Sequence, residues 1–415
     1  MSKDVYRRDT CRLCGGTDRE LVLPLEPTPI GEAYVPADRL NEAQPRYPMD
    51  LFLCRSCGHA EFPDVINPEI LYGNYLYQTS ISLGLVEHFR KYADEVVRQV
   101  APAPNALVLD IGSNDGSLLK AFKGHGSRVL GVDPAREIAR KATESGVETI
   151  GDFFTAKLAR EIRKKQGPAA IITANNVFAN IDNLADVAAG IRELLAPDGV
   201  FVFETSYLLD VLQKSLLETF FHEHLCYFSV RPLEAFFRRN GMKLFDVKRV
   251  PTKGGSIRGF VQLADGPRKV SPAVSEQETL ETVFGLDRAE PYGNFKANIA
   301  GIKGELQRHL RQLKAHGKTV AGYGASVGVT TLLYQFDLGD LLDFLVDDNP
   351  VRHNLFSPGH HLPVLPSRFL YDRKADAVLV LAWAYFDPIR KRHQAFFDQG
   401  GQFIVPLPKL QIIQR

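Results

Sequence analysis

The chain has 415 residues, 45% of them hydrophobic and 24% charged, with 50 lysines and arginines against 49 aspartates and glutamates. That length predicts two or three cores rather than one, and the even charge balance excludes a broad basic face for nucleic acid. No apolar run reaches the roughly 20 residues of a membrane helix, and MSKDVYRRDT lacks the apolar centre of a secretory signal, so a cytoplasmic protein is expected, with no membrane partner.

The first segment is marked by cysteine. Four of the five cysteines form the pairs Cys11/Cys14 and Cys54/Cys57, within CRLCGG and CRSCGH. In a reducing compartment two C-x-x-C pairs predict one tetrahedral Zn(Cys)4 site, not disulfides. Four thiolates fill the shell, so the zinc is expected to be structural, with His59 behind the ligands or on the surface. The turn-rich PDVINPEILYGN closes this zinc-binding module at residues 1–72.

A second domain is expected over 73–265. ISLGLVEHFRKYADEVVRQV has apolar residues at helical spacing and stops at the prolines of APAPN. From residue 106 short apolar strands alternate with helices: ALVLDIG, SLLKAFKGHG, VLGVDP, REIARKATESG, AAIITANN, a helix near 183–196, then GVFVFETS. Alternation of this kind predicts an α/β protein with a parallel, doubly wound sheet. LFDVKRV and SIRGFVQL read as two closing strands joined by PTKGG. After a helix-rich connector over about 270–315, a second series runs KTVAGYGA, LLDFLVDDN, DAVLVLAW and QFIVPLP, giving a C-terminal Rossmann-like α/β domain at 266–415.

The stretch LDIGSNDGSLL suggests a ligand loop. Gly112 and Gly116 follow a strand and open a helix, where backbone can approach a ligand closely. The order Asp110, Gly112, Asn114, Gly116 fits neither the dinucleotide G-x-G-x-x-G nor a P-loop. Asp133, with Pro134 at the end of the second strand, is placed to bind ribose hydroxyls, and Asp152 with Phe153 offers a carboxylate and a ring to an adenine. Asn175 and Asn176 end the next parallel strand on the same edge. This set resembles the S-adenosylmethionine (AdoMet)-dependent methyltransferases, and implies a central Rossmann-like AdoMet domain.

Two further motifs sharpen the resemblance. NNVFANI (175–181) and HEHLCYFS follow the AdoMet loop, and GYGASVGVTTLL (322–333) opens the last domain. With the zinc pairs in front, the chain resembles the three-part C-methyltransferases of nucleoside-diphosphate-linked 4-keto-deoxysugars. The resemblance implies an AdoMet-binding middle domain, a C-terminal domain that helps hold the sugar nucleotide, and an enolate that attacks the methyl. It implies His224 as the base, with Glu223 and a tyrosine of NYLYQTS, Tyr75 or Tyr77, as further site residues. Three positions depart from the family. Asn180 stands for a histidine, Phe221 for a tyrosine, and GASVGV lacks a lysine near Gly328. These departures leave O-methylation of a sugar, or ligand binding without turnover, as alternatives.

The residues themselves leave FFHEHL open. Extended backbone puts His222 and His224 on one face and Glu223 on the other, whereas a helix fans them out. Lys253, Ser256 and Arg258 in KGGSIRG are candidates for a diphosphate, because the arginine fork matches phosphate. Tyr323, Ser326 and Asp347 are candidates for the nucleotide. Asn180 and Phe221 complete the candidate substrate set.

Overall fold

The computed structural model describes residues 4–72, 79 and 84–415; Tyr75 and Tyr77 lie outside the described residues. Five short strands carry the cysteine region: β1 (Val5–Arg7), β2 (Arg19–Leu23), β3 (Leu51–Cys54), β4 (Ala60–Glu61) and β5 (Asp64–Ile66). β1 pairs antiparallel with β5. The short helix α1 (Pro68–Tyr72) follows, then α2 (Leu85–Val100), which buries Phe89, Tyr92, Ala93 and Val96. That i, i+3, i+4, i+7 stripe is why the segment is helical and where it docks. It ends at Ala101, in a left-handed conformation, directly before Pro102.

The α/β series is then β6 (Leu107–Ile111), α3 (Ser117–Gly124), β7 (Arg128–Val132), α4 (Arg136–Glu144), β8 (Thr149–Ile150), α5 (Ala156–Gln166), β9 (Ala169–Asn175), α6 (Leu184–Leu194) and β10 (Leu195–Ser206). After α7 (Leu208–Gln213), β11 (Cys226–Tyr227) and α8 (Val230–Arg239), the hairpin β12 (Met242–Val250) and β13 (Ser256–Leu263) completes the sheet. Its order is β12-β13-β10-β9-β6-β7-β8. The five strands from β10 to β8 are parallel, and β13 runs antiparallel to both β10 and β12, so the sheet is mixed at one edge. β6 is buried along its whole length, as an apolar run covered on both faces should be. β11 joins β4, β3 and β2 in a separate four-stranded sheet.

The helices α9 (Pro272–Phe284) and α10 (Glu290–Ala315) form the connector. The last series is β14 (Val320–Tyr323), α11 (Val327–Gln335), β15 (Phe344–Asp347), β16 (Val364–Pro366), α12 (Phe369–Asp372), β17 (Ala377–Val380), α13 (Phe386–Arg392), α14 (Gln394–Asp398), β18 (Gln402–Val405) and β19 (Gln411–Ile413). The sheet order is β16-β15-β14-β17-β18-β19, parallel except for β19.

The chain divides into two compact units, neither continuous in sequence. The first contains residues 1–20, 53–209 and 225–287; the second contains 21–52, 210–224 and 288–415. Residues 210–224, which include the HEH stretch, therefore fold with the C-terminal sheet rather than with the AdoMet-type sheet that flanks them in sequence. Among the described residues, no helix is long and apolar enough to cross a membrane.

Candidate active site and zinc centre

The two cysteine pairs converge. Cys11 Sγ lies 3.7 Å from Cys57 Sγ and Cys14 Sγ 3.5 Å from Cys54 Sγ, with all four sulfurs within 4.8 Å of one another. A ZnS4 tetrahedron with Zn–S bonds of about 2.3 Å has edges of about 3.8 Å, so the donor set fits zinc. Each pair turns alike: Gly15 N–H donates to Cys11 O and Gly58 N–H to Cys54 O, both at 2.8 Å. Gly16 N–H reaches Cys14 Sγ at 3.3 Å, the kind of bond that supports a metal-bound thiolate. The zinc binds here as a structural ion. His59 sits behind the ligands, fully buried, its ring stacked on Phe228. Burial and then the Arg12 charge bring its pKa down to about 3, so it packs as a neutral ring.

The cofactor loop lies at the carboxyl edge of the first sheet, where open α/β sheets bind ligands. Gly112 N–H donates to Val132 O at 2.8 Å, which ties the turn after β6 to the end of β7. Gly112 has φ +71°, and a Cβ there would meet Val177 at 2.8 Å. Only glycine fits that turn without displacing a neighbour. Asp133 accepts from Asn114 N–H at 2.8 Å through one oxygen and from Ala135 N–H at 2.9 Å through the other. Each carboxylate oxygen keeps a second lone pair, which leaves acceptor capacity for a ribose. Pro134, between Asp133 and Ala135, carries the chain into α4. Gly116 is the residue before α3 and also has positive φ.

Asp110 is buried and accepts from the Thr173 hydroxyl at 2.6 Å. Burial pushes its pKa up to about 7, with Thr173 opposing the rise and Asp133 adding to it. Next to it in the sheet, Asn175 has a side-chain nitrogen and oxygen sealed from solvent, with the Tyr92 hydroxyl beside them and no hydrogen bond of good geometry among the described residues. Orphaned polar atoms of this kind are expected where a ligand completes the bonding. Together with the glycine cradle they fit AdoMet. Asn176 adopts φ +56° and its N–H donates to Glu204 O at 2.8 Å. Asp152 is exposed and accepts from Phe153 N–H at 2.8 Å, while Phe153 itself is 45% exposed, so the ring lies on the surface.

The HEH stretch is neither extended nor helical. His224 N–H donates to Phe221 O at 2.9 Å, closing a turn with His222 and Glu223 at its centre. All three titratable side chains are buried. Their seat comes from the second unit. The Thr331 hydroxyl of α11 donates to Phe220 O at 2.5 Å, and a Cβ on Gly328 would meet Glu218 O at 2.5 Å. Gly328 therefore lets the turn Leu217–Thr219 lie directly on α11, the position where the resemblance led us to look for a lysine. His222 Nε2 contacts Tyr47 O at 3.2 Å, and burial brings its pKa down to about 4 against that carbonyl's opposing effect. His224 Nδ1 contacts Thr219 O at 3.0 Å, and its ring lies 3.9 Å from that of Phe221. A carbonyl only accepts, so Nδ1 carries the proton and Nε2 the lone pair.

The other candidates separate. Lys253 is exposed, with φ +51°, and Ser256 is buried with its hydroxyl on Thr252 O at 3.0 Å. Arg258 is 2% exposed; its fork meets Glu204 at 2.7 and 3.0 Å and Glu95 at 3.1 Å, over the face of Tyr92. A guanidinium so engaged is not available to a diphosphate. Tyr323 OH donates to Asp348 at 3.0 Å, next to His393 Nε2 at 3.2 Å. Asp347 accepts Ala325 N–H at 2.6 Å and Asn349 N–H at 2.7 Å, and Ser326 precedes α11 without capping it. Asn180 ends the turn Phe178–Asn180 after β9. Sequence reading missed His88 and Glu204, 2.8 Å apart and 116 residues distant in the chain. No local motif links residues that far apart.

Residues 11–72 match a zinc binding domain family, 86–247 a methyltransferase domain family, and 251–408 the C-methyltransferase C-terminal domain family. C-methyltransferase NovU of Streptomyces niveus is 34% identical over 413 residues, 99% of this chain and 98% of that protein. A ubiquinone biosynthesis O-methyltransferase of Nitrosococcus oceani is 27% identical over 164 residues, 36% of this chain and 69% of its own. Among solved structures, the CcbJ methyltransferase of Streptomyces caelestis aligns with 47% of this chain and 95% of its own at 16% identity, with a TM-score of 0.35. The full-length likeness and the three matches in chain order have one reading: the chain belongs to the C-methyltransferases, AdoMet-dependent enzymes with a zinc-binding module in front.

Proposed function

We propose that the acceptor is a nucleoside-diphosphate-linked 4-keto-deoxysugar, and that His224 removes the proton beside its ketone. The observation that carries this reading is the hydrogen bond from His224 Nδ1–H to Thr219 O, which fixes the tautomer and leaves Nε2 as the basic nitrogen. A base needs its lone pair presented in one orientation, with an intrinsic pKa near neutrality; imidazole, near 6.5 unperturbed, meets both requirements. Phe221 packs on the ring and holds it in place. AdoMet supplies the electrophilic methyl group, held by Gly112, Asn114, Asp133 and Asn175. His224 holds the abstracted proton until solvent takes it. Glu223, buried beside it, is placed to orient a sugar hydroxyl. Tyr323, Ser326 and Asp347 remain the candidate contacts to the nucleotide, with Tyr75 or Tyr77 as the tyrosine contact to the sugar.

The test is His224→Asn, assayed with a panel of nucleotide-linked 4-keto-deoxysugars. AdoMet affinity by calorimetry should persist while turnover falls by about 10²–10⁴-fold, the usual worth of a positioned base. The product methyl should appear by NMR on carbon. Near-wild-type turnover in the variant removes His224 as base, and a methyl ether in the product moves the reaction to oxygen.

A further inference from the structure

The carboxyl edge of the first sheet carries a second imidazole. His88, in the first turn of α2, has its Nε2 2.8 Å from Glu204 Oε1. Glu204 lies near the end of β10, paired in register with Asn175 of β9, which flanks the Gly112 turn. The carboxylate is 1% exposed, and its other oxygen accepts from Nη2 and Nε of Arg258 at 2.7 and 3.0 Å. The Thr252 hydroxyl donates to the same Glu204 oxygen as His88, at 2.9 Å. Burial works against the Glu204 charge, yet His88 and Arg258 outweigh it and hold its pKa below the usual range.

An ionised carboxylate accepts, so His88 Nε2 must be the N–H, and the hydrogen bond fixes the ring. The other nitrogen, Nδ1, has no hydrogen-bond partner among the described residues, and the side chain is 20% exposed. A ring held by a buried carboxylate at one nitrogen, with the other one uncommitted, is an acid–base group ready for use. Among the described residues its ring neighbours are Phe89 and Tyr92 of its own helix. Tyr92 lies within electrostatic reach of Arg258, Glu204 and Asp110 and beside Asn175, so the dyad and the cofactor residues share one edge.

We propose that His88, oriented by Glu204, is a catalytic acid of the methyl transfer, binding the acceptor's carbonyl oxygen through Nδ1–H. This rests on the function proposed above. As the base takes the α-proton, the C–H electron pair forms the enolate double bond and the carbonyl π pair moves onto oxygen. Protonated His88 donates to that oxygen while it carries the charge. When the enolate carbon bonds the methyl group, the methyl–sulfur bond breaks and its electron pair leaves with S-adenosylhomocysteine; the carbonyl re-forms and His88 keeps its proton. The charged groups around the dyad are Arg258, on the second Glu204 oxygen, and the part-exposed Glu95, which meets both Arg258 and Lys248.

His88→Gln separates chemistry from structure, because a glutamine amide can still donate to Glu204 while supplying nothing at the Nδ1 position. The reading is made with dTDP-linked 4-keto-6-deoxyglucose and related 4-keto sugars in deuterated water. One assay follows α-proton exchange with S-adenosylhomocysteine bound, and a second follows methyl transfer. Both rates should fall by about 10²–10⁴-fold in His88→Gln and in His88→Asn, with unchanged AdoMet affinity. Glu204→Gln, a change to the positioning residue, should shift the pH profile of exchange. If His88→Gln restores wild-type rates while His88→Asn does not, the ring serves structure only and the proposal falls. It also falls if both variants keep wild-type exchange and transfer. A wild type that neither exchanges nor methylates any of these sugars overturns the proposed function itself, and the role of His88 with it.

Discussion

The two Rossmann-like sheets repeat one turn and use it differently. In the first, Gly112 N–H bonds Val132 O and Asp133 binds two amides; in the second, Gly324 N–H bonds Val346 O, also at 2.8 Å, and Asp347 binds two amides. Two positions before the turn glycine the halves part. The first has Asp110, buried with a raised pKa, where the second has Gly322, enclosed by Leu342, Leu345 and Leu381. The helices that follow differ too. Three of the eight residues of α3 are buried, whereas α11 buries Gly328 to Gln335 without a break. Sequestered on every side, α11 serves as the seat for the HEH turn. The same backbone device thus opens on the proposed AdoMet loop in one half and leads into the helix that seats the HEH turn in the other. The acidic lock alone does not mark a cofactor site; the open helix start and the titratable neighbour do.

The largest expected effect comes from filling the first turn. Gly112→Val should weaken AdoMet binding by roughly 100-fold or more, the upper range for forced overpacking, since its Cβ would lie 2.8 Å from Val177. Undiminished affinity by calorimetry would move the cofactor away from this turn. Next is Asp110→Asn. A carboxyl whose folded pKa is raised from 3.8 to about 7 makes the native state bind the extra proton, so the wild type loses stability as pH rises between those values. The variant should therefore gain on the wild type across that window, by at most about 4 kcal/mol at 1.36 kcal/mol per unit. Denaturant unfolding at pH 5 and pH 8 measures it, and a pH-independent difference contradicts it. The smallest effect is the sharpest for the comparison. Asp133→Ala should weaken AdoMet by about 1–3 kcal/mol, whereas Asp347→Ala should leave that affinity within about twofold, though both lose stability. The reverse pattern would exchange the roles of the two halves.

Much of this was legible in the sequence because the signals are local. Cys11, Cys14, Cys54 and Cys57 announce their ligand by spacing, and the β6 and β7 turns announce themselves by apolar runs ending in glycine or aspartate. The HEH turn was legible as a site but not as a shape. Its conformation is set by Thr331 and Gly328, more than 100 residues later, and no local propensity encodes them. Arg258 looked like a phosphate ligand because its fork matches phosphate, yet β13 turns that side chain inward onto Glu204. Phe153 suggested an adenine shelf from its place in GDFF, and the structure leaves its ring 45% exposed. Pairs such as His88 and Glu204 lie beyond any single-sequence reading, since only the packing of α2 against the sheet brings them together.

The discontinuous second unit also sets a timetable. Gly31 O accepts the Thr330 hydroxyl across 299 residues, and Phe220 O accepts that of Thr331 across 111. At about 5–20 residues per second of synthesis, the first segment waits about 15–60 s for its partner and the second about 5–20 s. The HEH stretch is therefore translated in mid-chain but organised only once α11 has been made. A ribosome that stalls before residue 330 leaves both segments exposed, with the zinc module and the cofactor sheet already made.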